Sequence, residues 1–186
     1  LHFHDLNAKL NYNLNTNNRL FISMYQGRDK FGTKAANSKF NFNWGNITAT
    51  MRWNHQYNEK LFSNVTAAYS SYDYGIYNDV KEKKKNKYGE MEEYKSEFDW
   101  KAKLTDYCGK IDFVYYKNPE NTIRFGMQSV YHVIEPGGIT IKLNENKFEF
   151  KMDKIDAIEN SVYAENEMKI GALININYGL RLSNFS

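Results

Sequence analysis

The sequence predicts an all-β fold, an antiparallel transmembrane β-barrel, and three observations predict it. Apolar and polar residues alternate with a period of two over long stretches. The chain holds 15 Tyr, 12 Phe and 3 Trp, yet only 41% of its residues are apolar, which suits strands that are wet on one face. Short turns also alternate with long connections, and outer-membrane barrels keep short periplasmic turns at one end and longer external loops at the other.

The strands follow in order. Leu6, Ala8, Leu10, Tyr12 and Leu14 alternate with Asn7, Lys9, Asn11 and Asn13, which makes Leu6 to Leu14 the first. Asn15 to Asn18 turn the chain, because Asn bonds its own backbone two residues on. The second runs from about Arg19 to Gly27, where Phe21 and Tyr25 compete with Leu20, Ile22 and Met24 for the outer face. The third, about Phe40 to Asn54, opposes Ile47, Ala49, Met51 and Trp53 to Thr48, Thr50, Arg52 and Asn54. After a tight turn at Asn58, Glu59 and Lys60, the fourth extends from Leu61 towards Ile76 through Val65, Ala67 and Tyr69.

In the fifth, residues 96 to 116, the apolar face changes from Phe98, Trp100, Ala102 and Leu104 to Tyr107, Ile111, Phe113 and Tyr115. Two strands with a turn near Cys108 and Gly109, or one long strand with a bulge, both account for this. One long strand preserves the order of the connections. The sixth covers about Thr122 to Ile134, with Ile123, Phe125, Met127, Ser129, Tyr131 and Val133 opposite Arg124, Gln128 and His132. The seventh spans roughly Ala157 to Met168. The eighth, Gly171 to about Leu182, sets Ala172, Ile174, Ile176, Tyr178, Leu180 and Leu182 against Leu173, Asn175, Asn177, Gly179 and Arg181.

Short turns then fall near 15 to 18, 58 to 60, 118 to 121 and 169 to 170, with long links at about 28 to 39, 77 to 96 and 135 to 156. All the short ones lie at one end. Ten residues at ~3.4 Å each, tilted by ~45°, project to roughly 24 Å, near the ~25 Å apolar band of a membrane barrel. Tyr72, Tyr74, Tyr115, Tyr116 and Tyr131 gather towards strand ends, where interfacial girdles sit. A soluble barrel or sandwich divides its faces in the same way and is the alternative.

The totals narrow the function. A length of 186 residues suits one domain, residues 1–186. A net charge of +3, from 25 basic and 22 acidic residues, does not suggest a nucleic-acid partner. Cys108 is the sole cysteine, which excludes an internal disulfide and points to a structural thiol. His2, His4 and Asp5 interrupt the apolar run that a signal peptide needs. No run of 18 apolar residues supplies a membrane-spanning helix, which leaves the barrel as the route through a membrane.

The stretches "NNRLFISMYQGRDKF", "FNWGNITATMRWNHQYNEKLFSNVTAAYSSYDY", "KIDFVYYKNPENTIRFGMQSVYHVIEPGG" and "VYAENEMKIGALININYGLRLSNFS" resemble the barrel of TonB-dependent outer-membrane receptors of the Bacteroidetes type. The resemblance covers nearly the whole chain and consists of patterned strands and turns. It implies a fragment of a 22-stranded barrel, with the plug, the N-terminal coupling segment and any N-terminal β-sandwich lying outside this sequence. It further implies a bacterial outer-membrane location and active uptake of an iron chelate, cofactor, glycan or peptide. The implied partners are outer-membrane lipid and lipopolysaccharide, the plug and remaining strands of the same receptor, the TonB complex, and a surface-exposed lipoprotein. A complete eight-stranded structural or adhesion barrel and an outer-membrane barrel enzyme are the alternatives.

No catalytic set emerges, and the chain is expected to be neither an enzyme nor the holder of a cofactor or metal. His2 and His4 form a weak terminal pair, and His55 and His132 stand singly. On the predicted outer loops, Arg28, Asp29 and Lys30 are candidates to shape a ligand vestibule. Lys83, Lys84 and Lys85, within a basic run from Lys81 to Lys87, are candidates to meet lipopolysaccharide phosphates or an anionic ligand. The competing reading is a solvated hairpin whose basic and acidic arms attract each other. Lys9, Arg52, Arg124, Glu165, Glu167 and Arg181 are the candidates to face a lumen or plug, in the company of Asn7, Asn11, Asn13, Gln128 and Asn175.

Overall fold

The computed structural model describes residues 1–85, 88–171 and 173–186. The described residues form one antiparallel sheet of nine strands: β1 (His2–Asn15), β2 (Asn18–Lys34), β3 (Ser38–Gln56), β4 (Leu61–Lys85), β5 (Met91–Asn118), β6 (Asn121–Leu143), β7 (Asn146–Lys151), β8 (Ile155–Ile170) and β9 (Ile174–Phe185). Neighbours in sequence pair in space, in the order β1-β2-β3-β4-β5-β6-β8-β9, with β7 on β6. β1 and β9 are the two edges.

The turns at one end are as short as the sequence predicts. Asn15 accepts the backbone N–H of Asn17, and Asn58 accepts those of Lys60 and Leu61, so each amide replaces a missing ladder bond. Gly171 takes φ 62° in the last turn and the eighth predicted strand starts later, at Ile174; Ala172 lies outside the described residues.

At the other end the long links are not loops. β2 and β3 stay paired out to Lys34 and Lys39, and β4 and β5 out to Lys85 and Met91. Arg28, Asp29 and Lys30 are therefore strand residues within β2, and Lys83, Lys84 and Lys85 close β4. Lys87 lies outside the described residues. Alternation continues through these segments with the apolar parity reversed, which makes them look like loops when judged against the strand below.

The predicted link 135 to 156 contains β7. Ile134 pairs with Ile155 and Gly138 with Lys151, so β7 and β8 meet β6 in one register and are two parts of a single arm. The gap falls opposite Pro136, which has no N–H to give the ladder. Beside it β5 advances from Lys101 to Lys103 while β6 retreats from Gly138 to Glu135, which leaves an extra residue on β6. Gly137 takes φ 96° there, and a Cβ would collide with the Lys101 carbonyl oxygen; only glycine fits.

β5 is one long strand, as expected, but without the bulge invoked for its change of face. Its register with β4 is unbroken from Leu61–Tyr115 to Lys85–Met91. The change of face belongs to the whole sheet.

Candidate functional site

Residues paired across antiparallel strands lie on the same face, so the ladder register sorts every side chain. Near the short turns, the front face carries an apolar row across eight strands: Tyr12, Leu20, Trp53, Val65, Ile111, Met127, Val162 and Leu182. A row of tyrosines, Tyr69, Tyr107 and Tyr131, lies farther along the same face, with ring centroids 5.4 and 6.4 Å apart. Between the two rows, Ala67, Gly109 and Ser129 floor a shallow hollow of about 660 Å³. The back face of this zone holds Lys9, Arg52, Arg124, Glu165, Glu167 and Arg181, together with Asn11, Thr50, Thr66, Lys110 and Gln128.

This zone is inside-out. Met127 is 58% exposed and Leu182 74%, whereas Ser161 on the back face is 5% exposed. Among the described residues, Val130 and Ala157 are the only buried apolar side chains. The accessible surface is 13401 Å², against roughly 9,300 Å² for a compact soluble protein of this mass.

In the hairpin arms the faces exchange roles. The back face now carries the apolar row, Phe31, Phe42, Ile76, Trp100, Ile139 and Phe150, across six strands. Phe40, Trp44, Tyr74, Phe98, Ile141 and Phe148 extend it; Phe42 meets Trp44 at 4.8 Å and Tyr74 meets Trp100 edge-on at 5.3 Å. Trp100 donates its indole N–H to the Pro136 carbonyl at 3.2 Å, which satisfies the one polar atom of a largely apolar ring.

The front face of the arms is charged. Arg28 clasps both carboxylate oxygens of Asp73 at 2.8 and 3.0 Å, over Gly45, whose missing side chain leaves room for the guanidinium. Lys142 reaches Glu97 at 2.9 Å and Lys95 bonds the same carboxylate; these two ammonium groups lower the Glu97 pKa to about 2. Burial and the nearby carboxylates of Asp79 and Glu97 push the Tyr77 phenol above its ordinary value.

The predicted loop residues therefore separate. Arg28 and Lys30 lie on the front face of the arms and Asp29 on the back. Lys83 and Lys84 pair across the ladder with Glu93 and Glu92, Lys85 pairs with Met91, and Lys84 also bonds Glu82. Basic and acidic arms thus neutralise each other, which favours the solvated-hairpin reading of that run.

All six predicted lumen residues share the back face near the short turns. Arg124 bonds Glu167 at 3.0 Å and Glu165 at 3.5 Å, and Arg181 donates to the Ser161 hydroxyl at 2.8 Å. Lys9 and Arg52 form no ion pair among the described residues; Arg52 lies 4.8 Å from the centre of the Phe21 ring. Sequence reasoning missed the Asp112 node, where Lys110 at 3.0 Å and the Tyr163 hydroxyl at 2.6 Å both donate, and Arg19, another back-face cation. Tyr163 leans over Gly126, where a Cβ would press on the ring. His132 bonds Asp106 at 2.7 Å and lies near Phe185; the His2 and His4 rings lie 5.8 Å apart, tilted by 55°, on the front of β1.

No family model matches the chain, and no curated protein matches it. Among solved structures, CarO of Acinetobacter baumannii is 13% identical over 80% of this chain and 78% of its own, with a TM-score of 0.27. The siderophore receptor PirA of Pseudomonas aeruginosa is 10% identical, covers 99% of this chain with 37% of its own, and has a TM-score of 0.31. LpxR of Salmonella typhimurium is 5% identical over 97% and 87%, with a TM-score of 0.22. Overlaps this loose carry no conclusion about this chain.

Proposed function

We propose that this chain is part of the wall of a bacterial outer-membrane β-barrel, and within that class of a TonB-dependent receptor for active nutrient uptake. The carrying observation is the inside-out zone: an apolar front face left exposed across eight strands and a polar, hydrogen-bonded back face. Lipid is the solvent that suits the first and a watery lumen the second. On β6 and β8 the mainly apolar front stretch runs from Ile123 to Val133, with Ser129 within it, and from Ile158 to Met168, with Asn160 and Asn166 within it; its ten steps of ~3.4 Å project at ~45° to roughly 24 Å, the height of a barrel's apolar band.

The receptor reading is supported by the resemblance of the strand and turn sequences, and by the two sheet edges, which in lipid require further strands to pair with. In that reading the arms rise outside the membrane with their aromatic back face turned over the mouth, where substrate is first held. The plug moves under the pull of the TonB complex, and this wall supplies a fixed polar passage. The chain makes and breaks no covalent bond of the substrate.

In a Cys108→Ser background reconstituted into vesicles, Met127→Cys is expected to react with a lipid-soluble maleimide and to resist a membrane-impermeant one, while Gln128→Cys reacts with the impermeant reagent. Equal reaction of Met127→Cys with both reagents overturns the barrel. Intact mass and heat-shifted migration of the native polypeptide test the receptor: a species several times heavier supports it, and a single 21.9 kDa species that folds as a barrel overturns it.

A further inference from the structure

The back face near the short turns is divided by charge. On β5 to β8 the cations Lys110 and Arg124 each lie beside carboxylates, and Asp106 and Glu159 add further negative charge on the same face. On β1 to β4 the pattern is different. Lys9, Arg19 and Arg52 all occupy this face on three adjacent strands, all are exposed, and none forms an ion pair among the described residues. Their ladder neighbours are Ser23 for Lys9, Asn13 and Asn54 for Arg19, and Phe21 and Thr66 for Arg52. The partners around these three charges are amides, hydroxyls and the Phe21 ring; the carboxylates on this face of β1 and β2, Asp5, which accepts the Tyr25 hydroxyl at 2.8 Å, and Asp29, lie farther towards the arms.

We infer that this stripe is an anion-binding surface of the lumen wall, selective for solutes that bear carboxylate, phosphate or sulfonate groups. It rests on the reading of the back face as a lumen lining. Positive side chains along a watery passage bounded by lipid raise the local concentration of anions, because the low-dielectric wall focuses their field. Arg19 and Arg52 are diagonal neighbours across the β2–β3 ladder, a separation of about 7–8 Å between backbones, which lets two guanidinium forks close on one oxyanion. Arg52 is held in place by the Phe21 ring beneath it. Asn13, Asn54 and Asn64 supply neutral donors at the level of Arg19.

The test uses the whole polypeptide in detergent micelles and the trisulfonated dye pyranine, with binding followed by fluorescence anisotropy. The wild type is expected to bind the dye, more weakly as salt is raised. Lys9→Gln/Arg19→Gln/Arg52→Gln is expected to lose at least tenfold in affinity, and Lys110→Gln, which removes a paired cation, less than twofold. Equal losses in both variants, or no loss in the triple variant, overturn the inference. Should the triple variant not show heat-shifted migration, the single variants decide it: each is expected to lose about threefold, and unchanged binding in all three overturns it. A wild type that migrates as a barrel and does not bind pyranine removes the anion site alone; a wild type without barrel migration removes the lumen and the site together.

Discussion

Two rows of side chains run straight across this sheet. One, from Tyr12 to Leu182, is on the front near the short turns, and the other, from Phe31 to Phe150, is on the back of the arms. Both are apolar, and both cross β2 to β6. What differs is the medium each face meets: near the turns the apolar side chains point away from the polar, hydrogen-bonded face, and in the arms they point to the side that is polar below. A strand 28 residues long, as β5 is, therefore carries two amphipathic patterns of opposite phase joined end to end, with Thr105 and Ser71 bonded at 3.4 Å in the transition.

The contrast is broken most severely by placing charge on the front. Val162→Arg is expected to cost about 2–4 kcal/mol if that position lies at the bilayer midplane, read as lost refolding into vesicles. Thr140→Arg, on the front face of the arms beside Asp99, is expected to leave refolding unchanged. Equal effects at the two positions would mean that the zones share one environment.

Next in size is Gly137→Ala, expected to cost about 1–3 kcal/mol in backbone strain, confined to the β6–β7 arm. Hydrogen exchange is expected to quicken at Ile139 and Phe150 and to stay unchanged at Met127. Trp100→Ala follows, with the loss of a half-buried ring in contact with Tyr74. It is expected to reduce the protection of the arms and leave heat-shifted migration as it was.

The smallest effect is from pH. The Glu97 pKa is depressed in the folded state, so the contribution of its ion pairs is fully present above the ordinary carboxylate value near 4.5 and declines as pH falls towards about 2. Exchange along the β5–β6 arm is expected to quicken across that window in the wild type, and Glu97→Gln is expected to remove the dependence.

Strand order and the lower half of each strand were legible because one face alternates cleanly, as in Leu6 to Leu14 and Ile123 to Val133. The arms were not, and the reason is physical. Phe40, Phe42 and Trp44 are at even positions of β3, whereas Ile47, Ala49, Met51 and Trp53 are at odd ones; β4 and β5 change phase in the same way. A strand read alone makes that change look like a loop or a bulge. Three adjacent strands changing phase at paired positions show a change of surroundings instead. The ion pairs were equally hidden, since the meeting of Arg28 with Asp73 or of Lys110 with Tyr163 around Asp112 depends on cross-strand register. Arg19 reads in the sequence only as the start of a strand, and its neutral partners Asn13 and Asn54 follow from the register.

The phase change also acts as a vertical stop. A wall of this design cannot sink, because lowering it by one pair of residues would draw Lys103 and Asp73 towards hydrocarbon. Nor can it rise without lifting Leu, Met and Tyr side chains into water. The anchorage of the sheet is thus written into the parity of its strands.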